Sequence, residues 1–209
     1  MDYVEEQIKA VENPLPEMKE TLREELYFLK ELVKGKTILD VGCGNGRPAD
    51  KLAEYCKELT CIDNEKRMIE LAHKKLDGYD NVKVILMDAL KMEFENEKFD
   101  FIYSTYNTVG SIEDKNALMK ELVKVIKPGG KIAIFTWKRD EITTEFMKKY
   151  YPSIGFVVRE ITDEKADLGK CVFERLDMKK LISLFEGYGL KDIKTQEIGP
   201  LWNVITGEK

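Results

Sequence analysis

Apolar and polar positions alternate in blocks along this chain, and the blocks predict strands and helices in turn. Short apolar runs predict buried strands at 37–41, 59–62, 82–87, 99–104 and 131–136. Apolar residues at helical spacing predict the intervening helices at 47–55, 65–76 and 114–125. Strands that alternate with helices in this order favour a parallel sheet with helices on both of its faces.

The two ends of the chain depart from this alternation. Residues 1–34 predict a helical cap that is interrupted near Pro14 and Pro16. Two β-like runs in 150–176 are joined by a polar stretch, and they predict a hairpin that would cover the substrate. Residues 177–207 predict a helix and two closing strands, which must be antiparallel because a parallel pair needs a long crossover. At 209 residues, we expect a single domain.

A glycine-rich turn follows the first strand and leads into a helix. It reads Gly42, Cys43, Gly44, Asn45, Gly46. Glycines let backbone N–H groups approach a ligand closely, so this turn predicts a nucleotide-sized site. A dinucleotide-binding loop would place its third glycine at position 47, where this chain has arginine.

Acidic residues stand at the ends of the next two strands. Asp63 follows the second strand and Asp88 the third. The carboxyl ends of parallel strands meet at one edge of a sheet, which is where such sheets bind ligands. A carboxylate at Asp63 can accept both hydroxyls of a ribose, although the same residue could serve only as a helix N-cap.

These motifs together resemble the class I S-adenosylmethionine-dependent methyltransferases, of the type that acts on small molecules. The resemblance rests on the strand and glycine turn at 38–47, Asp63, the acidic turn at 88–90, the strand at 99–104 and the Lys-Pro-Gly-Gly-Lys turn at 127–131. It implies a Rossmann-like α/β fold: a doubly wound, seven-stranded, mostly parallel sheet with an antiparallel C-terminal strand. Residues 37–137 would form the core that binds the donor.

The resemblance also implies roles for particular residues. Asp40 would face the ammonium group of S-adenosylmethionine, Asp63 its ribose and Asp88 its adenine. The full set expected to contact the donor is Asp40, Gly42, Cys43, Gly44, Asn45, Gly46, Asp63, Asn64, Met68, Asp88, Ala89, Leu90 and Ser104. Tyr106 and Asn107 follow the fourth strand and are candidates for contacts to the acceptor, against the alternative that they are ordinary loop residues.

Composition narrows the range of functions. The net charge is −5 and no basic block is present, which argues against a nucleic-acid partner. The sequence contains no run of about 18 apolar residues, so we expect no membrane-spanning helix. The only histidine is His73, so we expect no metal site built on imidazoles. Four cysteines without a Cys-x-x-Cys pair fit free thiols in the cytoplasm.

The expected reaction is an in-line displacement that leaves S-adenosylhomocysteine. Its donor is already activated, so the protein mainly has to align the acceptor and exclude water. Three alternatives remain at this point: methylation of RNA or protein, a binding protein without turnover, and a nicotinamide-dependent oxidoreductase. Arg47 in the third-glycine position and the closing antiparallel strands argue against the last of these.

Overall fold

The computed structural model describes residues 3–12 and 14–209, which form seven helices and ten strands. The helices are α1 (Tyr3–Glu12), α2 (Pro16–Val33), α3 (Arg47–Leu52), α4 (Lys66–Leu76), α5 (Lys115–Val125), α6 (Glu141–Ser153) and α7 (Met178–Gly187). The strands are β1 (Thr37–Val41), β2 (Glu58–Asp63), β3 (Val82–Leu86), β4 (Phe99–Ser104), β5 (Ile126–Trp137), β6 (Glu160–Ile161), β7 (Lys165–Asp167), β8 (Val172–Glu174), β9 (Lys191–Ile198) and β10 (Trp202–Glu208). Single 3₁₀ turns cover Ala53–Tyr55 and Thr108–Ser111.

Seven strands form one sheet in the order β3-β2-β1-β4-β5-β10-β9. The pairings from β3 to β5 are parallel, and β10 runs antiparallel to both β5 and β9. This sheet confirms the predicted fold class, including the antiparallel C-terminal strand. The strand order reverses between β1 and β4, and ligands of doubly wound sheets bind at the carboxyl ends beside such a reversal.

The central strands are buried on both faces because helices pack on each side. Ile38 of β1 belongs to one apolar cluster and its neighbour Leu39 to the other, as the alternation of side chains along a strand requires. Residues of α2, α3, α4 and α6 complete the first cluster, and residues of α5 and α7 complete the second. Burial on both faces explains why these strands appear in the sequence as unbroken apolar runs.

The N-terminal helices lie against the first of these clusters. In α2, Met18, Leu22, Leu29 and Val33 are buried at helical spacing. Within residues 3–12 and 14–209, no helix combines the length and the apolar character that crossing a membrane requires.

Two segments differ from the sequence prediction. The turn expected at 127–130 lies within β5, which begins at Ile126 and is irregular where it pairs with the start of β4. The predicted hairpin in 150–176 is a three-stranded antiparallel sheet, β6-β7-β8, because the polar connection itself supplies the middle strand β7. A strand of three residues is too short to show a period of two.

Candidate functional site

A cavity of about 510 Å³ opens at the carboxyl edge of the sheet. Its walls come from the turns that follow β1, β2, β3 and β4, with α1, β5, α6 and β8 closing one side. Most of the residues predicted from the sequence line it, namely Gly42, Cys43, Gly44, Asn45, Asp63, Asn64, Met68, Asp88, Ala89, Leu90, Tyr106 and Asn107. The topology therefore brings residues from distant parts of the chain to one place.

The glycine turn adopts backbone conformations that side chains disfavour. Gly42, Gly44 and Gly46 have φ angles of 72°, 53° and 75°. A Cβ on Gly42 would lie 2.2 Å from Cγ2 of Thr108, so the turn after β4 can approach only because residue 42 is glycine. At Gly44 no atom lies within 4 Å of such a Cβ, and the backbone there faces open space.

Asp63 fixes the glycine turn to the end of β2. One carboxylate oxygen accepts a hydrogen bond from the N–H of Gly44 at 2.9 Å, and the other accepts one from the N–H of Glu65 at 2.9 Å. Burial raises the pKa of Asp63, and these backbone hydrogen bonds oppose that effect. Each oxygen keeps a further acceptor position, so the carboxylate can bind a ribose diol beside the turn.

The wall beyond Asp63 is mainly apolar and fits a flat ring. Ile62, Met68, Met87, Ala89 and Leu90 line this part of the cavity. Asp88 is exposed at its rim, and its carboxylate accepts a hydrogen bond from the N–H of Leu90 at 2.8 Å. An exposed acid next to an apolar slot suits a ring that carries an amino group, as adenine does.

Three predicted donor contacts, Asp40, Gly46 and Ser104, do not line the cavity. Ser104 donates its hydroxyl to the carbonyl oxygen of Val41 at 2.9 Å, which joins β4 to β1 beneath the glycine turn. At Gly46 a Cβ would lie 3.0 Å from Cδ1 of Leu76, so this glycine allows close packing on α4. Both residues pack behind the cavity wall, and a contact of either with the donor stays a prediction.

Asp40 is fully buried below the glycine turn. The hydroxyl of Tyr103 donates to one of its oxygens at 3.0 Å, and the other oxygen finds no donor among the described residues. Burial raises the pKa of Asp40 to about 8, although the hydrogen bond from Tyr103 and the charge of Arg47 oppose that rise. A buried carboxylate with an unsatisfied oxygen can receive a cationic ligand group through a short rearrangement or a water.

Arg47, the residue after the glycine turn, joins the cavity to the N-terminal helices. Its side chain is 16% exposed and lines the cavity, and its guanidinium donates to a carboxylate oxygen of Glu25 at 2.7 Å. Glu25 lies on α2 and its side chain is fully buried. In the sequence, Arg47 marks only a departure from a dinucleotide motif. Glu25 is signalled only as an acidic position within the apolar face of α2.

Aromatic side chains form the other end of the cavity. Tyr106, Trp137, Tyr151 and Phe173 line it, and the ring centroid of Trp137 is 6.2 Å from those of both Tyr106 and Tyr151. The hydroxyls of Tyr106 and Tyr150 are 2.7 Å apart. Tyr151 and Phe173 come from α6 and β8, and no short motif in the sequence marks them as site residues.

The backbone at Tyr106 and Asn107 is strained. Their φ angles are 54° and 59°, a region that residues with side chains seldom occupy. Asn107 holds this turn in place, because its amide accepts from the hydroxyl of Thr136 at 2.7 Å and donates to the carbonyl oxygen of Glu174 at 3.0 Å. Asn107 therefore ties the turn to β5 and β8, and its amide is already engaged.

The described residues contain no cluster suited to a metal ion, and the cavity wall contains neither lysine nor histidine. Among the described residues, no cluster of three or more His, Cys, Asp or Glu side chains could hold a metal ion. The charged residues on the cavity wall are Arg47, Asp63, Glu65, Asp88 and Glu113. No Lys or His side chain is among the lining residues, so the cavity offers a single cationic group.

Comparison with known proteins identifies methyltransferases as the proteins that this chain resembles. A protein-family model described as a methyltransferase domain matches residues 38–130. The demethylmenaquinone methyltransferase of Bacillus licheniformis is 28% identical over 182 residues, which are 82% of this chain and 78% of that protein.

Solved structures share the fold. A SAM-dependent methyltransferase from Aquifex aeolicus has a TM-score of 0.71 at 21% identity, and the match covers 96% of each chain. Phosphoethanolamine N-methyltransferase 2 of Haemonchus contortus, in complex with S-adenosyl-L-methionine, has a TM-score of 0.68 at 17% identity. That match covers 90% of this chain and 52% of the other.

Proposed function

The chain is a class I S-adenosylmethionine-dependent methyltransferase, and we propose that its acceptor is a small molecule. The observation that carries this proposal is the aromatic end of the cavity. Tyr106, Trp137, Tyr151 and Phe173 line it, and two of these side chains come from α6 and β8. A concave pocket lined mainly by aromatic side chains, with few polar groups, is typical of sites for small ligands.

The two ends of the cavity have different tasks in this proposal. Bound S-adenosylmethionine supplies a methyl group on a sulfonium, which needs no further activation. Asp63 would hold the ribose, the slot at Met68 and Leu90 the adenine, and the glycine turn the remaining backbone contacts. The aromatic residues would orient the acceptor for in-line attack on the methyl group and exclude water.

The four aromatic residues that define this end of the cavity offer no side chain suited to be a general base. The hydroxyls in it are those of tyrosines, and burial raises the pKa of Tyr150, which pairs with Tyr106. We therefore propose an acceptor whose attacking atom carries a free lone pair, or loses its proton to water, before transfer. Three of the four carboxylates on the wall, Asp63, Glu65 and Asp88, belong to the donor end, and the fourth, Glu113, lies in the connection between β4 and α5.

The names of related proteins support a small acceptor. The relative from Bacillus licheniformis is named for demethylmenaquinone, and the structural neighbour from Haemonchus contortus for phosphoethanolamine. Both names describe small molecules. The cavity wall of this chain has Arg47 as its only cationic residue, so we favour an acceptor that is neutral or cationic over one that carries a phosphate.

We further propose that the protein works in a reducing compartment such as the cytoplasm. Cys43, Cys56 and Cys61 are free thiols, and Cys43 lines the cavity. Free thiols persist where glutathione and thioredoxin keep them reduced.

A transfer assay with methyl-labelled donor tests the proposed acceptor class. The protein is incubated with a metabolite extract, with total RNA and with a protein extract in parallel. Label is expected in low-molecular-weight products. Label found only in RNA or protein would contradict the small-molecule proposal and leave the donor assignment intact. The variant Trp137→Ala is the matched control, because it opens the aromatic end and should abolish the labelled product without removing any donor contact.

A further inference from the structure

The buried pair of Glu25 and Arg47 lies at the cavity wall and has no part in the contacts assigned so far. Arg47 begins α3 directly after the glycine turn, and Glu25 reaches it from the middle of α2. Their ion pair spans 2.7 Å, with the Glu25 side chain completely excluded from solvent. Burying a carboxylate is costly, so a pair at this depth calls for a reason beyond stability.

Two buried carboxylates near Arg47 each have an oxygen without a hydrogen-bond donor among the described residues. Asp40 and Glu25 are both fully buried; Arg47 forms an ion pair with Glu25, and its charge also acts on Asp40. One oxygen of each carboxylate, Oδ1 of Asp40 and Oε2 of Glu25, has no hydrogen-bond donor among the described residues. One N–H of the Arg47 guanidinium donates to Glu25. The guanidinium has further N–H groups, and Arg47 lines the cavity, so these can donate to a ligand.

An α-amino acid group complements this arrangement. Its carboxylate matches the fork of the Arg47 guanidinium, and its ammonium can supply a donor to the Asp40 oxygen that lacks one, through a short rearrangement or a water. S-adenosylmethionine carries such a group at one end. Its other parts are accounted for at Asp63 and at the apolar slot, which leaves the amino-acid end for the side of the cavity where Arg47 lies.

We propose that Arg47 binds the carboxylate of the donor's amino-acid end, and that Glu25 is a positioning residue that holds the Arg47 guanidinium in place. In this arrangement α2 is part of the donor site, because a residue in its middle sets the direction of a group that touches the donor. The inference rests on the donor assigned above and is independent of the acceptor.

Binding measurements with two donors that differ only in the carboxylate test this inference. S-adenosylmethionine and its decarboxylated analogue are titrated separately into the wild-type protein and into Arg47→Met. The wild type should prefer S-adenosylmethionine, and Arg47→Met should bind it roughly 10- to 100-fold more weakly, as expected for a lost hydrogen bond between charged groups. Affinity for the decarboxylated analogue should be unchanged, so the preference disappears.

Glu25→Gln tests the positioning role by the same two titrations. Glutamine keeps the volume and an acceptor oxygen but removes the charge that aligns Arg47, so the preference for the carboxylate should shrink by a smaller factor than in Arg47→Met. Because the site is buried, the unfolding midpoint of each variant is measured as well, and Arg47→Lys provides a second variant that keeps the charge. Arg47→Lys should retain part of the preference.

The outcomes separate clearly. Equal weakening of both ligands by Arg47→Met would overturn the inference and assign Arg47 to the structure of the turn. An unchanged preference in Arg47→Met would overturn it as well. Failure of the wild type to bind either ligand would instead contradict the donor assignment itself. Arg23→Met is the matched control, since Arg23 is an exposed arginine of α2 whose ion pairs lie away from the cavity, and it should change neither affinity.

Discussion

The donor end and the aromatic end of the cavity are built by different means. The donor end is formed by backbone N–H groups and short carboxylate side chains from consecutive strand-turn units. The clearest example is Asp63, whose carboxylate accepts a hydrogen bond from the N–H of Gly44. At the aromatic end, large side chains from β5, α6 and β8 interlock, and Asn107 braces a strained turn against two of these elements. The first end is a property of local geometry, whereas the second depends on tertiary packing.

This difference has a functional consequence. The donor end can hold one constant ligand with few side chains, since backbone groups cannot be replaced by mutation. At the aromatic end, Tyr151 and Phe173 are side chains on α6 and β8, elements outside the seven-stranded sheet, which can change without disturbing its strands. If the acceptor binds at the aromatic end as proposed, its identity is set by side chains that can be replaced one at a time, on a scaffold that keeps the donor fixed.

Substitution at Gly42 should give the largest effect at the donor end. Gly42→Ala would place its Cβ 2.2 Å from Cγ2 of Thr108, which is a steric overlap, and would force a side chain into a positive φ, so we expect a loss of about 2–5 kcal/mol in the free energy of unfolding. Gly44→Ala is the matched control, because its φ has the same sign but its surroundings are open. It should lose only about 1–2 kcal/mol in a urea titration. Equal losses would refute the close approach of the two turns.

Asn107 provides the corresponding test of the aromatic end. Asn107→Ala removes two buried hydrogen bonds and should lower the free energy of unfolding by about 2 kcal/mol. The acceptor KM should rise, while the affinity for S-adenosylhomocysteine stays within about twofold. Asn116→Ala at an exposed site should change stability by less than about 0.5 kcal/mol. A donor affinity that falls in step with the acceptor KM would show that the two ends are not separate.

The pH dependence of donor binding tests the charge below the glycine turn. The pKa of Asp40 is about 8 in the free protein, so the carboxyl is mostly protonated at pH 7. The donor's ammonium favours the ionised form, so affinity should rise as pH increases from 6 towards 8.5, by roughly tenfold above pH 7. Tyr103, Arg47, Glu25 and Asp63 are the titratable groups that act on it. Asp40→Asn should give a flat profile, and an unchanged slope in that variant would assign the proton to another group.

Tyr106→Phe should give the smallest effect and the most specific one. It deletes the hydroxyl that meets Tyr150 but keeps the ring against Trp137. Turnover should fall by roughly fivefold, as for the loss of one hydrogen bond, with donor affinity unchanged. Tyr27→Phe, at a tyrosine that is 72% exposed on α2, is the control. Loss of donor affinity in Tyr106→Phe would move Tyr106 into the donor end.

The same contrast explains which features could be predicted from the sequence. The strands of the core, the glycine turn and Asp63 are recognisable because apolar runs, positive φ requirements and strand-end acids are all local signals. Donor contacts of Ser104 and Gly46 stay predictions, because sequence spacing places a residue near a turn but not on a particular side of it. The hydroxyl of Ser104 donates to Val41, and a Cβ at Gly46 would meet Leu76, so both residues lie behind the cavity wall.

The aromatic end could not be assembled from the sequence for physical reasons. Tyr151 and Phe173 reach the cavity only after α6 and β8 have packed, and that packing depends on contacts between segments far apart in the chain. The strand β7 has only three residues, and two of them are charged. Its pairing is therefore determined by β6 and β8 and not by a hydrophobic pattern of its own. The role of Glu25 could not be predicted from the sequence for the same reason, since its partner Arg47 lies 22 positions away.

Titration of S-adenosylhomocysteine into the wild type and Asp63→Ala tests most directly that this cavity is a donor site organised around Asp63. We expect the wild type to bind and Asp63→Ala to lose about 1.5–3 kcal/mol through the missing ribose contacts. Asp100→Ala is the matched control, because its carboxylate also accepts a backbone N–H at a strand end, from Thr37 at 2.8 Å, but at the opposite edge of the sheet. It should leave affinity unchanged. Equal affinities for the wild type and Asp63→Ala, or tight binding of NADH in place of S-adenosylhomocysteine, would contradict the account.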